Sequence, residues 1–108
     1  MEGSGEENKP LVSPLLAVRP IFSPSFDMRR DYLNRRRSEL EALLNSGRGN
    51  EWKYVIPLAH NIRGTAGLFG FDAICEAAEN LASAIQNADS LCMHYLEIYA
   101  KAVEEAYV

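Results

Sequence analysis

The chain has 108 residues, of which 47% are apolar and 24% charged, and its formal net charge is −4. This length indicates one domain with a modest core, and the acidic balance disfavours nucleic acid as a partner, because binding to a phosphate backbone needs a basic surface. Cys75 and Cys92 form neither a metal-binding spacing nor a disulfide framework, which favours a reducing compartment.

The N-terminal part of the chain is predicted to be an irregular Pro/Ser-rich tail over residues 1–24. Prolines recur through its second half, and each removes a backbone donor and restricts the residue before it. The apolar run at 15–18 fits either docking on the domain or a free tether. Acidic residues stand where a secretory signal would carry basic ones, and no stretch is long and apolar enough to cross a bilayer. We therefore expect a cytoplasmic protein with no membrane partner.

A first helix is predicted to start at Ser25 or Asp27, either of which can act as the N-cap, and to stop at 45–47. Its apolar residues are Phe26, Tyr32, Leu33, Leu40, Leu43 and Leu44. Its arginines are Arg29, Arg30, Arg35, Arg36 and Arg37. They favour a solvated face partly paired with Asp31, Glu39 and Glu41, and a docking patch for an acidic protein is the alternative.

A second helix is predicted from an N-cap at Asn50 to about Phe69, with Gly70 ending it. Pro57 lies beyond its first turn, so we expect this residue to remove one backbone hydrogen bond and to bend the helix just before His60. The apolar side consists of Trp52, Val55, Leu58, Ala59, Ile62, Ala66 and Phe69.

Two further helices complete the predicted fold. The third runs from an N-cap at Asp72 to about Asn87, and the fourth starts at Asp89 or Ser90. Their core residues are Ile74, Ala77, Ala78, Leu81 and Ile85, then Leu91, Tyr95, Ile98, Ala102 and Val103. Because no stretch alternates like a strand and the connections are short, residues 25–108 are predicted to form an all-α, antiparallel up-down-up-down four-helix bundle.

The candidate site lies on the second helix. His60, Arg63 and Gly64 occupy positions i, i+3 and i+4, so an imidazole, a guanidinium and bare backbone share one small area. The apolar side lies elsewhere, so the ring is expected to be partly exposed. A neutral imidazole is a competent nucleophile, and a guanidinium binds phosphoryl oxygens in forked geometry. Glycine in a helix costs about 1 kcal/mol relative to alanine, so Gly64 on a solvated face suggests access for a partner.

The motif spans eleven residues and reads His60-x-Ile62-Arg63-Gly64-x-Ala66-x-x-x-Gly70. It closely resembles the histidine phosphotransfer (HPt) domain, and the predicted bundle extends the resemblance over residues 25–108, without the tail. The resemblance implies that His60 accepts a phosphoryl group from an aspartyl phosphate and passes it to another response regulator. Arg63 would stabilise the phosphoryl charge, and Gly64 would give steric access.

The partners that the resemblance implies are response-regulator receiver domains and a histidine kinase, bound transiently. Together with Gly64, the docking surface is expected to include Ile56, Pro57, Gly67 and Phe71. The receiver would supply Mg²⁺, so no cofactor or metal site belonging to this chain is expected. No nucleotide-binding phosphate loop is present, and a phosphoryl carrier without kinase activity of its own is therefore predicted.

The sequence departs from the HPt pattern on the third helix. Ala82 follows Leu81 where many relatives place Glu or Gln close to the histidine, and either Glu79 or Gln86 remains open as a substitute. With Pro57, this departure motivates the alternative of an adaptor that binds receiver or kinase domains without carrying phosphate. A helical scaffold with a chance motif is a third hypothesis.

Two minor candidates stand outside the motif. His94 is expected to be a structural or surface residue rather than a metal ligand. The two cysteines are expected to act as buried small hydrophobes.

Overall fold

In a computed structural model, which describes residues 23–107, the chain is helical and contains no strand within that range. The helices are α1 (Phe26–Ser38), α2 (Leu40–Arg48), α3 (Trp52–Ala66), α4 (Asp72–Gln86) and α5 (Cys92–Ala106). α4 packs extensively against both α3 and α5, and α2 contacts α3 and α5. The predicted all-α class is confirmed. Most of the predicted tail lies outside the described residues.

The predicted first helix consists of two segments. Ser25 caps α1 as expected, because its Oγ accepts a hydrogen bond from the Met28 N–H at 3.1 Å. The helix is interrupted at Glu39, so the prediction of one continuous helix was wrong. The backbone of Glu39 stays in the right-handed helical region, and its carbonyl accepts from the Leu43 N–H. α1 and α2 therefore follow each other almost directly and together occupy the place of the first predicted helix.

A residue with left-handed backbone conformation follows each of three helices. Asn50, Gly70 and Ala88 have φ of 60°, 83° and 52°, and they follow α2, α3 and α4. After α3, the Phe71 N–H donates to the Ala66 carbonyl and the Gly70 N–H to that of Gly67, which is the Schellman arrangement. The predicted role of Gly70 is confirmed, whereas Asn50 ends α2 instead of capping α3.

The predicted N-caps of the later helices were also wrong in position. Asp72 is the first residue of α4, and Phe71 holds the cap position without a side-chain hydrogen bond. α5 begins at Cys92, later than predicted, although Asp89 does act just before it: its carboxylate accepts the Leu91 N–H at 2.8 Å. Short polar side chains therefore predicted correctly where the loops lie, but not at which residue each helix begins.

Gly47 has a packing role that the sequence did not reveal. It was predicted as part of a stop signal, but it lies inside α2 and is buried. A Cβ atom at this position would come within 2.7 Å of the Leu96 Cδ2 atom and 3.0 Å of the Met93 Sδ atom. Contacts this short do not occur between relaxed side chains, so a glycine lets α2 approach α5 closely.

The core follows the predicted faces of α3 and α4 but only part of that of α5. Its fully buried members include Val55, Ile62, Ile74, Leu81, Leu96, Tyr99 and Val103. In α5, Val103 is buried as predicted, whereas Leu91 and Ile98 are exposed, and the inward stripe is Cys92, Leu96, Tyr99 and Val103. Phe26 is 74% exposed and lies outside the core as well. None of the described helices has the length and hydropathy needed to cross a bilayer.

Candidate functional site

The core contacts of α3 fix which way its polar residues face. Val55, Ala59, Ile62 and Ala66 are buried at helical spacing. The other side of the helix therefore carries His60, whose side chain is half-buried, with Arg63 and Gly64 exposed near it. The partial exposure predicted for the imidazole is confirmed, and the ring is held at the surface by a helix whose opposite face is fixed in the core.

Gly64 stands in open space. A Cβ built at this position would meet no heavy atom within 4 Å, apart from the neighbouring backbone of its own helix. Close packing within the chain therefore does not account for the glycine. One turn later, a Cβ on Gly67 would lie 3.9 Å from the Cys75 Sγ atom, an ordinary van der Waals contact. The surface beside His60 is thus low and unobstructed.

Pro57 and Ile56 lie one turn before His60. Pro57 is exposed and Ile56 is half-buried. α3 runs without interruption from Trp52 to Ala66, so the missing N–H of Pro57 does not end the helix. Both residues stand on the surface that the sequence predicts for docking.

The amide of Gln86 contacts the imidazole of His60. The Nε2 atoms of the two side chains are 3.4 Å apart, and Gln86 is the last residue of α4. Ala82, one turn earlier, is 2% exposed and belongs to the core, whereas Glu79 is exposed and forms no hydrogen bond or ion pair with His60 in the part of the chain that the structure describes. Of the two substitutes that the sequence left open, the structure brings Gln86 to the histidine.

The backbone of Arg63 makes a contact with α4, whereas its side chain is exposed. Its carbonyl accepts a hydrogen bond from the Cys75 Sγ–H at 3.1 Å, which ties the end of α3 to α4. Within residues 23–107, its guanidinium makes no ion pair. Cys75 is half-buried and was predicted only as a small hydrophobe, so this contact is new.

A groove lies between α1 and the flank of α3 that faces it. It has a volume of about 420 Å³ and is lined by Met28, Asp31, Tyr32, Arg35, Arg36, Asn61, Thr65 and Phe69. Tyr32 holds its two walls together, because its hydroxyl shares a 2.7 Å hydrogen bond with Thr65 Oγ1 and its ring stacks on Phe69 at 4.5 Å between centroids. Asn61 follows His60 in the chain, but successive residues of a helix point in different directions, so the groove lies on the α1 flank of α3 whereas His60 contacts Gln86 of α4.

Two exposed apolar side chains, one on α1 and one in the turn after α3, were not among the predicted residues. Met28 lies at the groove, and Leu68, eight residues after His60, is 59% exposed. The sequence signal for Leu68 is its position in the turn between two glycines of the motif. Exposed apolar side chains around a polar site are typical of a transient interface.

Phe71 is placed differently from the other predicted docking residues. It is half-buried, its ring lies 6.0 Å from that of Tyr32, and the Arg29 guanidinium stands 4.8 Å above it. These contacts direct Phe71 towards α1. His94 is exposed on α5, where its ring meets Tyr95 edge-on. No cluster of three or more potential metal ligands occurs among residues 23–107.

The arginines of α1 are divided between surface and core. Arg30 pairs with Asp27, Arg37 with Glu104 and Arg36 with Glu39, the last at 2.9 Å. The expected pairing with Glu39 is present, but Arg36 is only 5% exposed and so does not belong to the solvated face that was expected.

Burial alone would lower the pKa of Arg36. The hydrogen bonds and charges of Tyr32 and Glu39 outweigh that effect, and the pKa is raised. Arg36 is therefore a fixed cation, which leaves Arg35 as a solvent-facing arginine of the groove.

The comparisons with known proteins agree with this geometry. The family model described as Hpt domain matches residues 27–106, which is most of the chain. No curated protein and no solved structure matches the chain significantly. Hpt domains are phosphoryl-carrier modules of two-component phosphorelays, where they interact with receiver domains and kinases. The matched region contains all five helices except the first residue of α1, together with the whole His60 motif. The chain therefore belongs to the Hpt domain family.

Proposed function

We propose that this chain is a phosphorelay intermediate that accepts a phosphoryl group on His60 from a receiver aspartyl phosphate and passes it to another response regulator. The observation that carries the proposal is the half-exposed imidazole beside the open surface at Gly64. The fold proposed with this function is the antiparallel up-down-up-down bundle, which the short connections between α3, α4 and α5 support.

The transfer step needs one nucleophile and charge neutralisation. A ring nitrogen of His60 attacks phosphorus, an N–P bond forms, and the P–O bond to the receiver carboxylate breaks, with its electron pair leaving on the carboxylate. Such reactions depend mainly on positioning and on stabilisation of charge on the phosphoryl oxygens. The guanidinium of Arg63, which makes no ion pair with the other described residues, is suited to that second task. The reverse reaction on a second receiver discharges the carrier.

The proposed partner surface surrounds His60. Ile56, Pro57, Gly64 and Gly67 give a low, partly apolar centre, and Leu68 adds to it. The exposed guanidinium of Arg63 adds a positive charge to this surface, which suits the acidic pocket of a receiver domain. The receiver is proposed to supply the Mg²⁺ needed for transfer. The cytoplasmic location of the chain stays a prediction.

The test is phosphoryl transfer from a phosphorylated receiver domain with Mg²⁺ present, comparing the wild-type chain with His60→Gln. We expect label on the wild type that is lost in acid and kept in alkali, as a phosphohistidine requires, and no label on the variant. His60 lies at the surface, so the variant should keep the helical content and the melting temperature of the wild type.

His94→Gln serves as the matched control, because His94 is an exposed helical histidine outside the site. Label on His60→Gln, or its loss from His94→Gln, would contradict the assignment. If receivers bind the wild type and none delivers phosphate, the chain is an adaptor and the carrier function is wrong.

A further inference from the structure

A second groove lies where the start of α1 meets the end of α5. It has a volume of about 550 Å³ and is lined by Pro24, Phe26, Arg29, Arg30, Leu33, Phe71, Ala106 and Tyr107. Leu33 is buried at this groove, whereas the side chains of Phe26 and Tyr107 are 74% and 40% exposed. The described residues 23–107 therefore leave two large aromatic side chains of the groove in contact with solvent.

Arginine side chains hold these two rings in place. The guanidinium of Arg30 lies 5.4 Å from the centre of the Phe26 ring and also pairs with Asp27. The guanidinium of Arg37 lies 4.4 Å from the centre of the Tyr107 ring. Rings that are already positioned lose little freedom when an apolar segment binds to them, so the groove is prepared for an occupant.

The chain reaches α1 at the edge of this groove. Pro24 lines the groove and Ser25 caps α1, so the residues before Ser23 start beside it. Residues 15–22 read Leu-Leu-Ala-Val-Arg-Pro-Ile-Phe, and six of these eight side chains are apolar. Pro20 reduces the conformational freedom of this segment, which lowers the entropy that docking costs. The part of the chain that arrives at the groove is thus suited to fill it.

We propose that residues 15–22 bind in this groove and that their apolar side chains cover the exposed rings of Phe26 and Tyr107. Arg19, the charged residue of the segment, stays in solvent, because the two arginines that line the groove already make it cationic. The proposal also gives a role to Phe71, whose ring lines the groove and becomes part of an intramolecular contact.

The position of the segment favours it over a separate occupant. Ser23 alone separates Phe22 from the groove-lining Pro24, so the segment is present at an effective concentration on the order of 1 mM. With an intrinsic Kd of about 0.1 mM, a tethered segment at this effective concentration is docked about 90% of the time. A separate peptide or a second copy of the chain must displace it, and needs a much higher affinity to do so.

The first test is a nuclear Overhauser experiment on the full chain with ¹³C-labelled methyl groups. We expect contacts between the methyl groups of residues 15–22 and the rings of Phe26 and Tyr107. A mixture of labelled and unlabelled chains, filtered for contacts between chains, should give none of these signals. Contacts between chains would mean that a second copy fills the groove, and the absence of any contact would mean that the segment is a free tether. Either result overturns the proposal.

The second test measures how fast chymotrypsin cuts the full chain between residues 15 and 23. A segment that is docked about 90% of the time should be cut about tenfold more slowly than an undocked one, because cleavage follows the open population. Phe26→Ser removes an exposed side chain of the groove and should therefore raise the rate of cleavage by several fold, up to this limit.

Ile98→Ser is the matched control. It also removes an exposed apolar side chain, but from α5 outside this groove, and it should be cut at the rate of the wild type. Both variants should keep the helical content of the wild type. Equal rates for the wild type and Phe26→Ser would contradict the proposal, as would faster cleavage of Ile98→Ser. Neither test needs a receiver domain, so the results are independent of the proposed function.

Discussion

Two helical glycines of this chain have opposite surroundings. Gly47 is buried, and a Cβ atom there would overlap the Leu96 side chain at 2.7 Å. Gly64 is exposed, and a Cβ atom there would meet nothing within 4 Å. Both glycines carry the cost of a flexible residue in a helix. Close packing inside the chain explains the glycine at position 47. It does not explain the glycine at position 64, which must therefore serve an interaction outside the chain.

Alanine substitutions should separate these two roles. Gly64→Ala is expected to raise the free energy of unfolding by about 1 kcal/mol, because alanine is the better helix former and its methyl group has room. Gly47→Ala is expected to lower it by about 1 to 3 kcal/mol, because the added methyl group forces α2 away from α5. Urea unfolding of both variants measures the two values. A destabilised Gly64→Ala would show that this site has an internal packing role.

A larger side chain at Gly64 tests its external role. Gly64→Gln is expected to weaken binding of a receiver domain by about tenfold, or about 1.4 kcal/mol, because the side chain projects into the space that the partner would occupy. The fold should be kept, since Gly64 has no neighbours to displace. Isothermal titration with a receiver measures the affinity, with Asn80→Gln as the control on another helix. Unchanged affinity would place the docking surface elsewhere.

At the scale of elements, α3 combines a helix-breaking residue with an uninterrupted helix. Pro57 is the sixth residue of α3 and cannot donate to the carbonyl of Lys53. The helix is nevertheless continuous because its buried residues fix it against α4 on both sides of this position. Tertiary packing therefore compensates for a local defect.

Pro57→Ala should stabilise the domain. The new N–H can bond to the Lys53 carbonyl, and the clash of the proline ring with the preceding turn is removed, so the free energy of unfolding should rise by about 1 to 3 kcal/mol. Asn61→Ala is the matched control: it is an exposed residue of the same helix that already has its N–H, and it should gain no more than about 0.7 kcal/mol. Equal gains in the two variants would mean that α3 has already adapted to the proline.

The helices themselves could be predicted from the sequence, but their exact ends and one of their faces could not. Apolar periodicity gave α3 and α4 their buried sides. In α5, two stripes have helical spacing, and the choice of Leu96 and Tyr99 over Leu91 and Ile98 is made by contact with α2 and α4. Likewise, Gly47 resembles a helix stop in the sequence because its close neighbour Leu96 is distant in the chain.

The candidate site was predictable to the extent that it lies within one helix. The spacing of His60, Arg63 and Gly64 along α3 sets their shared surface, and local geometry alone is enough for that prediction. The contact of Gln86 depends on how α4 packs against α3, and the groove depends on α1. The sequence left Gln86 and Glu79 open as alternatives, and nothing in it predicted the groove.

At the scale of the whole molecule, polar groups are buried where α1 and α2 meet α5. Arg36 and Glu39 form an ion pair there, and Tyr99 of α5 lies fully buried near them. The Tyr99 hydroxyl has no hydrogen-bond partner among the described residues. Burial raises the pKa of Tyr99 above its ordinary value of 10.0, although the positive charge of Arg36 acts in the opposite direction.

This burial makes the stability of the bundle depend on alkaline pH. The unfolded chain loses the Tyr99 proton from about pH 10 upwards, whereas the folded chain retains it. Above that pH the folded state binds more protons, so the free energy of unfolding falls as pH rises, by up to about 1.4 kcal/mol per pH unit. Burial also raises the pKa of the Cys92 thiol above its usual 9.0, which adds a fall of the same sign that begins about one pH unit lower.

Tyr99→Phe should remove the Tyr99 part of this dependence. At about pH 7 the variant is expected to be as stable as the wild type or slightly more stable, because it keeps the ring in the core and removes an unpartnered hydroxyl. At about pH 11 it should be more stable than the wild type by about 1 kcal/mol. Both proteins retain Cys92, so the difference between their urea midpoints across this range isolates the phenol. Parallel pH profiles would mean that Tyr99 ionises as easily in the folded chain as in the unfolded one.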